Sequence, residues 1–480
     1  MSVKLPRFLA APTLTAAILI SFGALAPAAP SAFSQAQPTF GFIQANCAAG
    51  SEPSSVVVAD FNHDGKLDVA DADFLDGTVS VYLGNGDGTL QVRQTYAANA
   101  SDFTLIDGDF NGDGNLDLAA ADEVGKLSIF LGHGDGTFGP RTLFPGVVQV
   151  QGGLVAGDFN RDGKLDLVLG SRFDNNVSIV LGNGDGTFQP PVKFFTVNVF
   201  DLVAADLNGD GKLDLAASTD GLSAVYVWLG NGDGTFQAPL SNTVEAFGQG
   251  IVASDFNGDG KPDIAVIAGN SAYDVDVLLG NGDGTFKRYV PYVIVPSSFN
   301  TMAAGDVNGD GITDLATDNG LITQILLGRG DGSFQTIPFA GGGDSIALGD
   351  FNSDGKLDYV VTASSVSILT QTAPAVASLS TTQLNFGKVK VNTLSTQDVT
   401  VTNTGVGTMV ISATTFRQQS QGVFSANSSC YSTSLLSGQS CTITVSFFPR
   451  TKGQYQNTLV IHDSGTGAPH TVRLSGVATK

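Results

Sequence analysis

Two patterns of apolar and polar positions alternate along most of the chain. Short apolar runs such as Val56–Ala59 (VVVA) and Leu67–Ala70 (LDVA) flank acidic, glycine-containing segments. Alternating runs such as Val79–Tyr82 (VSVY), Leu127–Phe130 (LSIF) and Val177–Val180 (VSIV) precede glycine-rich turns. Both are strand signals, and Asn-Gly and Asp-Gly pairs are hairpin signals. The turn reads LGNGDGTL at Leu83–Leu90, then LGHGDGTF, LGNGDGTF three times, and LGRGDGSF at Leu327–Phe334. One unit is therefore strand, acidic loop, strand, connection, strand, glycine-rich hairpin, strand. Four antiparallel strands repeated along a chain predict the blades of a propeller.

The acidic loop is the fixed point of each unit. Its first copy is DFNHDGKLD, and successive copies start 49, 49, 48, 49, 51 and 44 residues apart. Position 1 is always Asp, 3 Asn, 5 Asp, 6 Gly and 9 Asp, whereas position 7 varies. This is the pattern of a calcium loop: hard oxygen ligands at 1, 3, 5 and 9, a backbone carbonyl at 7, and Gly at 6 for the sharp turn. The expected ligands are Asp60, Asn62, Asp64, Lys66 (carbonyl) and Asp68 in the first loop; Asp109, Asn111, Asp113, Asn115 and Asp117 in the second; Asp158, Asn160, Asp162, Lys164 and Asp166 in the third. They continue as Asp206, Asn208, Asp210, Lys212 and Asp214; Asp255, Asn257, Asp259, Lys261 and Asp263; Asp306, Asn308, Asp310, Ile312 and Asp314; and Asp350, Asn352, Asp354, Lys356 and Asp358. About seven Ca²⁺ are expected, one per blade. Metal-free turns also use Asp, Asn and Gly, but a turn has no need of three close carboxylates, which repel without a cation. An EF-hand is excluded, because position 12 is Asp71 or Ala120 instead of Glu and the flanks are strands.

The strand inventory points to a closed ring. The seventh unit ends without a glycine-rich hairpin, and Thr39-Phe40-Gly41-Phe42 resembles the start of a fourth strand (compare Thr137-Phe138-Gly139), so the N-terminal segment is expected to complete the last blade. The residue before each loop is small (Ala59, Gly108, Gly157, Ala205, Ser254, Gly305, Gly349), as expected where inner strands crowd the axis. Residues 37–372 form the expected propeller, 373–376 a linker, and 377–480 a second all-β unit. Its alternating runs at Asp398–Thr402, Thr442–Phe448, Thr458–His462 and Thr471–Leu474 predict a β-sandwich.

The DFNGDGKLD-type loops with LGNGDGTF hairpins resemble FG-GAP/VCBS repeats, related to the propeller of integrin α-chains. The resemblance implies a seven-bladed propeller with calcium loops on one face. LNFGKV (Leu384–Val389), VTNTG (Val401–Gly405) and SCTITVSFFP (Ser440–Pro449) resemble immunoglobulin-like domains of the hydin/choice-of-anchor D group, which implies a binding or spacing module. The fold class is all-β throughout. Such repeats occur in adhesins, lectin-like modules and propellers attached to enzymes, so the fold does not name the activity.

Composition changes this picture in three places. The net charge is −22, and seven loops with three Asp each hold 21 of the 45 acidic residues, so the acidity belongs to the metal sites and nucleic acid is excluded as a partner. Residues 1–36 read as a signal peptide: Lys4 and Arg7, then the apolar stretch Phe8–Leu25, then an Ala-rich tail with a cut expected after Ala36. An uncleaved anchor is the alternative; after cleavage no span is expected, and the product is secreted or at the cell surface. Cys430 and Cys441 are expected to pair in that compartment, leaving Cys47 as a small buried residue.

The remaining candidates for chemistry are few. His63, His133, His462 and His470 show no triad or zinc spacing. Arg329-Gly330-Asp331 is a one-residue substitution in the hairpin template. The expected function is a non-catalytic, monomeric binding or adhesion module for an extracellular glycan or protein, with a propeller-based polysaccharide lyase or hydrolase and a structural spacer as alternatives. Recognition is expected at the end opposite the loops, or at the rim, where connections such as Thr95–Asp102, Phe144–Gly152 and Val290–Asn300 vary. Tyr96, Phe144, Phe194, Phe195, Tyr289, Tyr292 and Phe299 either stack on ligand there or pack between blades.

Overall fold

The computed structural model describes residues 41–480 except 99–101, 123–124, 148–149, 151–152, 173, 220, 245–246, 270–273, 294–300, 319–322, 339–341, 373–374, 408, 418–422, 431–433, 464 and 466–467. The expected signal peptide, Thr39–Phe40 and Phe299 lie outside the described residues. Among the described residues every regular element is a strand, and no helix is long and apolar enough to cross a membrane.

Residues 41–372 form seven four-stranded antiparallel sheets. Sheet 1 runs Pro53–Ala59, Asp68–Asp73, Thr78–Tyr82, Gln94–Ala97 from inside to outside. Sheets 2 to 6 repeat this order from inner strands Asp102–Gly108, Leu154–Gly157, Val199–Ala205, Phe247–Ser254 and Thr301–Gly305. Sheet 7 takes three strands from Ser345–Thr372 and its fourth from the other end of the described chain. That fourth strand, Gly41–Ala48, pairs along its whole length with Ser365–Thr372. Inner strands neighbour one another in chain order, and Pro53–Ala59 lies against Ser345–Gly349, so the ring closes.

The small residue before each loop has a different cause from crowding at the axis. A Cβ at Gly108 would lie 2.8 Å from Leu165 Cδ1, at Gly157 2.4 Å from Leu213, at Gly305 2.7 Å from Leu357, and at Gly349 2.5 Å from Leu67. Each of these leucines is position 8 of the loop in the following sheet, and the Gly349–Leu67 contact spans the closure. Where position 8 of the following sheet is Thr313, the small residue is Ser254, and the two hydroxyls lie 3.2 Å apart.

The apolar core of the ring is divided among the interfaces between sheets. The hairpin aromatic of one sheet packs edge-on against position 2 of the preceding loop, as in Phe61–Phe138, Phe110–Phe188, Phe159–Phe236 and Phe256–Phe334. At the closing blade the N-terminal strand supplies Phe42, 1 % exposed, which joins Val307 and Tyr359.

Residues 377–479 form a four-stranded sheet facing a five-stranded one. Alternating residues of Ser395–Asn403 and Ser440–Phe447 are buried in one cluster with Ile411, Leu459, Ile461, Val472 and Leu474. This is the one-sided burial expected of a sandwich. Cys430 and Cys441 are joined in a disulfide within this core, with Cα atoms 5.3 Å apart, and Cys47 is a free thiol.

Candidate functional site

All seven acidic loops fold alike, each between the first and second strands of its sheet. Gly at position 6 adopts positive φ, +80° at Gly65. Position 4 does too, including the non-glycine residues His63 (+56°), Arg161 (+62°) and Ser353 (+58°). The position-1 carboxylate curls the loop round itself. Asp60 Oδ1 accepts the Asp64 amide at 3.1 Å and Oδ2 the Gly65 amide at 2.8 Å. Asn62 Oδ1 accepts the same Asp64 amide at 2.9 Å, and Asp64 Oδ1 accepts the Lys66 amide at 3.0 Å. The second loop repeats these bonds at 3.1, 2.9, 2.8 and 2.8 Å, and the other five loops also repeat them.

Position 9 stitches the loop to the hairpin. Asp68 is fully buried; Oδ2 accepts the Phe61 amide at 3.0 Å and Oδ1 the Gly84 amide at 2.7 Å. Asp117, Asp166, Asp214, Asp263 and Asp314 make the same two bonds. Asp358 binds Phe351 and, in the sheet that lacks a hairpin, the Gln371 amide. The first hairpin glycine must be Gly, because a Cβ on Gly84 would sit 2.1 Å from the Leu67 carbonyl oxygen. Burial, partly offset by these amides, pushes Asp68, Asp117, Asp214, Asp314 and Asp358 up to about 6, and Asp60 and Asp64 add repulsion at Asp68.

Each loop therefore gathers oxygen-only donors in nine residues, the donor chemistry of a hard cation. Five of the six carboxylate oxygens of the first loop already accept backbone amides, and the sixth, Asp64 Oδ2, faces Lys66 Nζ at 3.4 Å, with further lone pairs remaining. Among the described residues no three His, Cys, Asp or Glu side chains converge as a ready-made metal group. The residues fit calcium in type and order, and the loop frame is held by backbone amides.

Position 7 also acts through its side chain. The Lys66 stem lies over the hairpin glycine, so a Cβ on Gly86 would meet its Cδ at 2.8 Å; Lys164, Lys212 and Lys261 cover Gly184, Gly232 and Gly282 similarly. The hairpin also latches onto the preceding sheet. Gly136 donates its amide to the Phe61 carbonyl at 3.1 Å, and Gly186, Gly234, Gly284, Gly332 and Gly88 reach Phe110, Phe159, Leu207, Phe256 and Phe351 in turn. The seventh interface has no hairpin. There the Gln371 side-chain amide donates to the Val307 carbonyl at 2.5 Å and takes over the bond. No sequence pattern announced this substitution.

The other candidate residues fall in three places. Tyr96, Phe144, Phe194 and Tyr292 are on outer strands and pack against the hairpin Phe138, Phe188, Phe236 and Phe334 of the next sheet; Phe195 packs on Trp228, and Tyr289 joins an inter-sheet cluster. These aromatics take the packing alternative. His63 lies 3.1 Å from Asn115 of the next loop, while His462 and His470 of the sandwich lie 2.9 Å from Thr415 and Asp463. In Arg329-Gly330-Asp331 the carboxylate turns back to the Ser333 amide at 2.9 Å, as Asp87 does to Thr89 in the template hairpin. At the end opposite the loops, Leu75 (59 %) and Leu222 (45 %) are exposed, and the half-buried Arg172 sets its guanidinium 4.7 Å over the Phe200 ring.

Comparison with known proteins accords with this architecture. A model described as FG-GAP-like repeat matches residues 109–169, 158–217, 206–266 and 255–317, and a HYDIN/CFA65/VesB-like Ig-like domain model matches 375–477. No curated protein sequence matches. Among solved structures, an Agrocybe aegerita lectin described as recognising non-reducing terminal N-acetylglucosamine is 22 % identical, with a TM-score of 0.46 over 70 % of this chain and 86 % of the lectin. BBS1N, in a complex with ARL6DN, is 13 % identical with a TM-score of 0.48 over 68 % and 96 %. The PapD-like domain 7 of human CEP192 is 16 % identical with a TM-score of 0.18 over 22 % and 87 %. The chain is a β-propeller carrying FG-GAP-like repeats, followed by a HYDIN/CFA65/VesB-like Ig-like domain.

Proposed function

We propose that this protein is an exported, calcium-stabilised binding module whose propeller presents a recognition surface to an extracellular glycan or protein, without catalysis. The observation that carries the reading is the contrast between the two ends of the ring. At one end seven loops and six hairpins repeat the same hydrogen bonds, and their donor chemistry suits calcium. At the other end the connections differ from sheet to sheet, exposing Leu75 and Leu222 and leaving Arg172 half-buried against Phe200. A uniform frame with variable connections is how a scaffold supports recognition. Calcium would be held by Asp, Asn and carbonyl oxygens at positions 1, 3, 5, 7 and 9, neutralising the carboxylates. Export supports the assignment, since weak loops fill at extracellular calcium levels.

The test is a binding screen of the full chain, on glycans and on extracellular proteins, with calcium present. A ligand so found is expected to lose at least about tenfold in affinity, ~1.4 kcal/mol, when Leu75, Arg172 and Leu222 are together changed to Ala, with calcium content unchanged. Binding that survives these changes and follows residues 377–480 would assign recognition to the sandwich. Turnover of a polysaccharide in the same screen would overturn the non-catalytic reading.

A further inference from the structure

We propose that the seam between sheet 7 and sheet 1 holds a monovalent alkali cation on Asp71 and Asp73. This site shares no residue with the acidic loops. Asp71 and Asp73 alternate with Ala70 and Ala72 on the second strand of sheet 1 and share a face with Val69. Val69 packs with Phe351, Val360, Val366 and Ile368 of sheet 7, so this face looks into the closing interface. Both aspartates are fully buried.

Three of their four carboxylate oxygens, both of Asp71 and Oδ1 of Asp73, have no hydrogen-bond partner of good geometry; the Tyr82 hydroxyl acts on Asp71 only as a weak donor. The fourth, Asp73 Oδ2, accepts from Ser80 at 2.6 Å and Thr78 at 2.8 Å and lies 3.6 Å from Arg93 Nη1. Arg93 also donates to Ser80 Oγ at 3.1 Å, so its guanidinium is held on the Asp73 side. Backbone closes over this face: a methyl group on Gly50 would overlap the Asp73 carboxylate. Tyr82, whose hydroxyl donates to the Ala48 carbonyl at 3.3 Å, closes it towards the N-terminal strand.

Buried carboxylate oxygens without partners are costly. Two carboxylates and one guanidinium leave one negative charge. Oxygen-only donors select a hard ion, and a deficit of one charge selects Na⁺ or K⁺ over a divalent ion. The residues at the place of Asp71 in the other sheets are Ala120, Leu169, Ala217, Val266, Thr317 and Val361, so the acid belongs to the seam and not to the repeat. A proton is the competing occupant, since burial and the Asp73 charge push Asp71 up to about 8, against the opposing pull of Arg93.

The test compares thermal melting of the full chain in NaCl, KCl and choline chloride at equal ionic strength and saturating calcium. The ring transition is expected to lie at least about 3 °C higher in one alkali salt than in choline. Asp71→Asn should abolish that difference and leave bound calcium unchanged. Should the variant fail to fold, ²³Na line broadening by the wild type, displaced by K⁺, reads the site directly. Equal melting in all three salts without ²³Na broadening, or an alkali effect retained by Asp71→Asn, would overturn the proposal; stability that follows pH but not the cation would assign the site to a proton.

Discussion

The ring and the sandwich bury apolar surface in opposite ways. The sandwich gathers twenty buried residues from two sheets into one cluster, with the Cys430–Cys441 disulfide inside it. The ring has no such centre; its clusters each join one sheet to the next. Polar latches run beside every cluster: position 9 to the hairpin amide and the hairpin amide to the preceding loop at six interfaces, with Gln371 in place of the hairpin at the interface of sheets 6 and 7. In the sandwich a local defect is shared by the whole core. In the ring it falls on one interface, and a ring opened at one interface loses its closure. The structure therefore places the ring's sensitivity at the seam and in the loops, and the sandwich's in its core and disulfide.

The strongest break of this comparison is removal of the closing strand. Deleting Gly41–Ala48 strips the fourth strand and Phe42 from sheet 7 and exposes a sheet edge. Loss of the ring transition by calorimetry is expected, with the sandwich transition retained; a variant that melts like the parent would show that closure is dispensable. Next comes the disulfide. Changing Cys430 and Cys441 to Ala should cost the sandwich about 2–4 kcal/mol, measured by denaturant unfolding, and leave the ring untouched.

A smaller and more local effect is expected at Gln371. Gln371→Ala leaves the Val307 carbonyl without its donor, at a cost of about 1–3 kcal/mol. Hydrogen exchange should locate the loosening between sheets 6 and 7; a change spread evenly round the ring would contradict the latch. A further effect is one of pH. Asp71 is raised from an ordinary 3.8 to about 8 by burial and then by Asp73. A carboxyl raised in the folded chain contributes stability that is whole below its unfolded value and lost as pH rises through the folded one. In choline chloride the wild type should lose stability relative to Asp71→Asn as pH goes from about 5 to about 8.5, and a constant difference would remove Asp71 as the cause.

Much of the ring was legible in the residues because its units repeat. Asp60-X-Asn62-X-Asp64-Gly65 and Gly84-Asn85-Gly86-Asp87-Gly88 mark the loop and the hairpin, and the missing seventh hairpin points to closure by the N-terminal strand. What escaped were relations between one unit and the next. The Gly157–Leu213 and Ser254–Thr313 pairs were visible as letters, but only packing shows that position 8 of one loop fills the space before the preceding one. The Lys66 stem over Gly86 gives side-chain work to a position that a ligand pattern treats as free. Tyr96 and Phe194 are amphipathic or aromatic residues beside variable connections, which fits either recognition or packing; the neighbouring Phe138 and Phe236 decide for packing. Gln371 is a single residue outside every repeat, so no pattern could mark it.

Hydrogen exchange of the full chain, with calcium and after EDTA, is the direct test of the proposal that calcium in the seven loops holds the ring. Val56–Ala59, Leu105–Gly108 and the other strands flanking the loops are expected to lose protection on chelation and recover it with added calcium, while Val399–Val401 and Ile443–Val445 in the sandwich do not change. Protection unaltered in both regions, or lost equally in both, would contradict it.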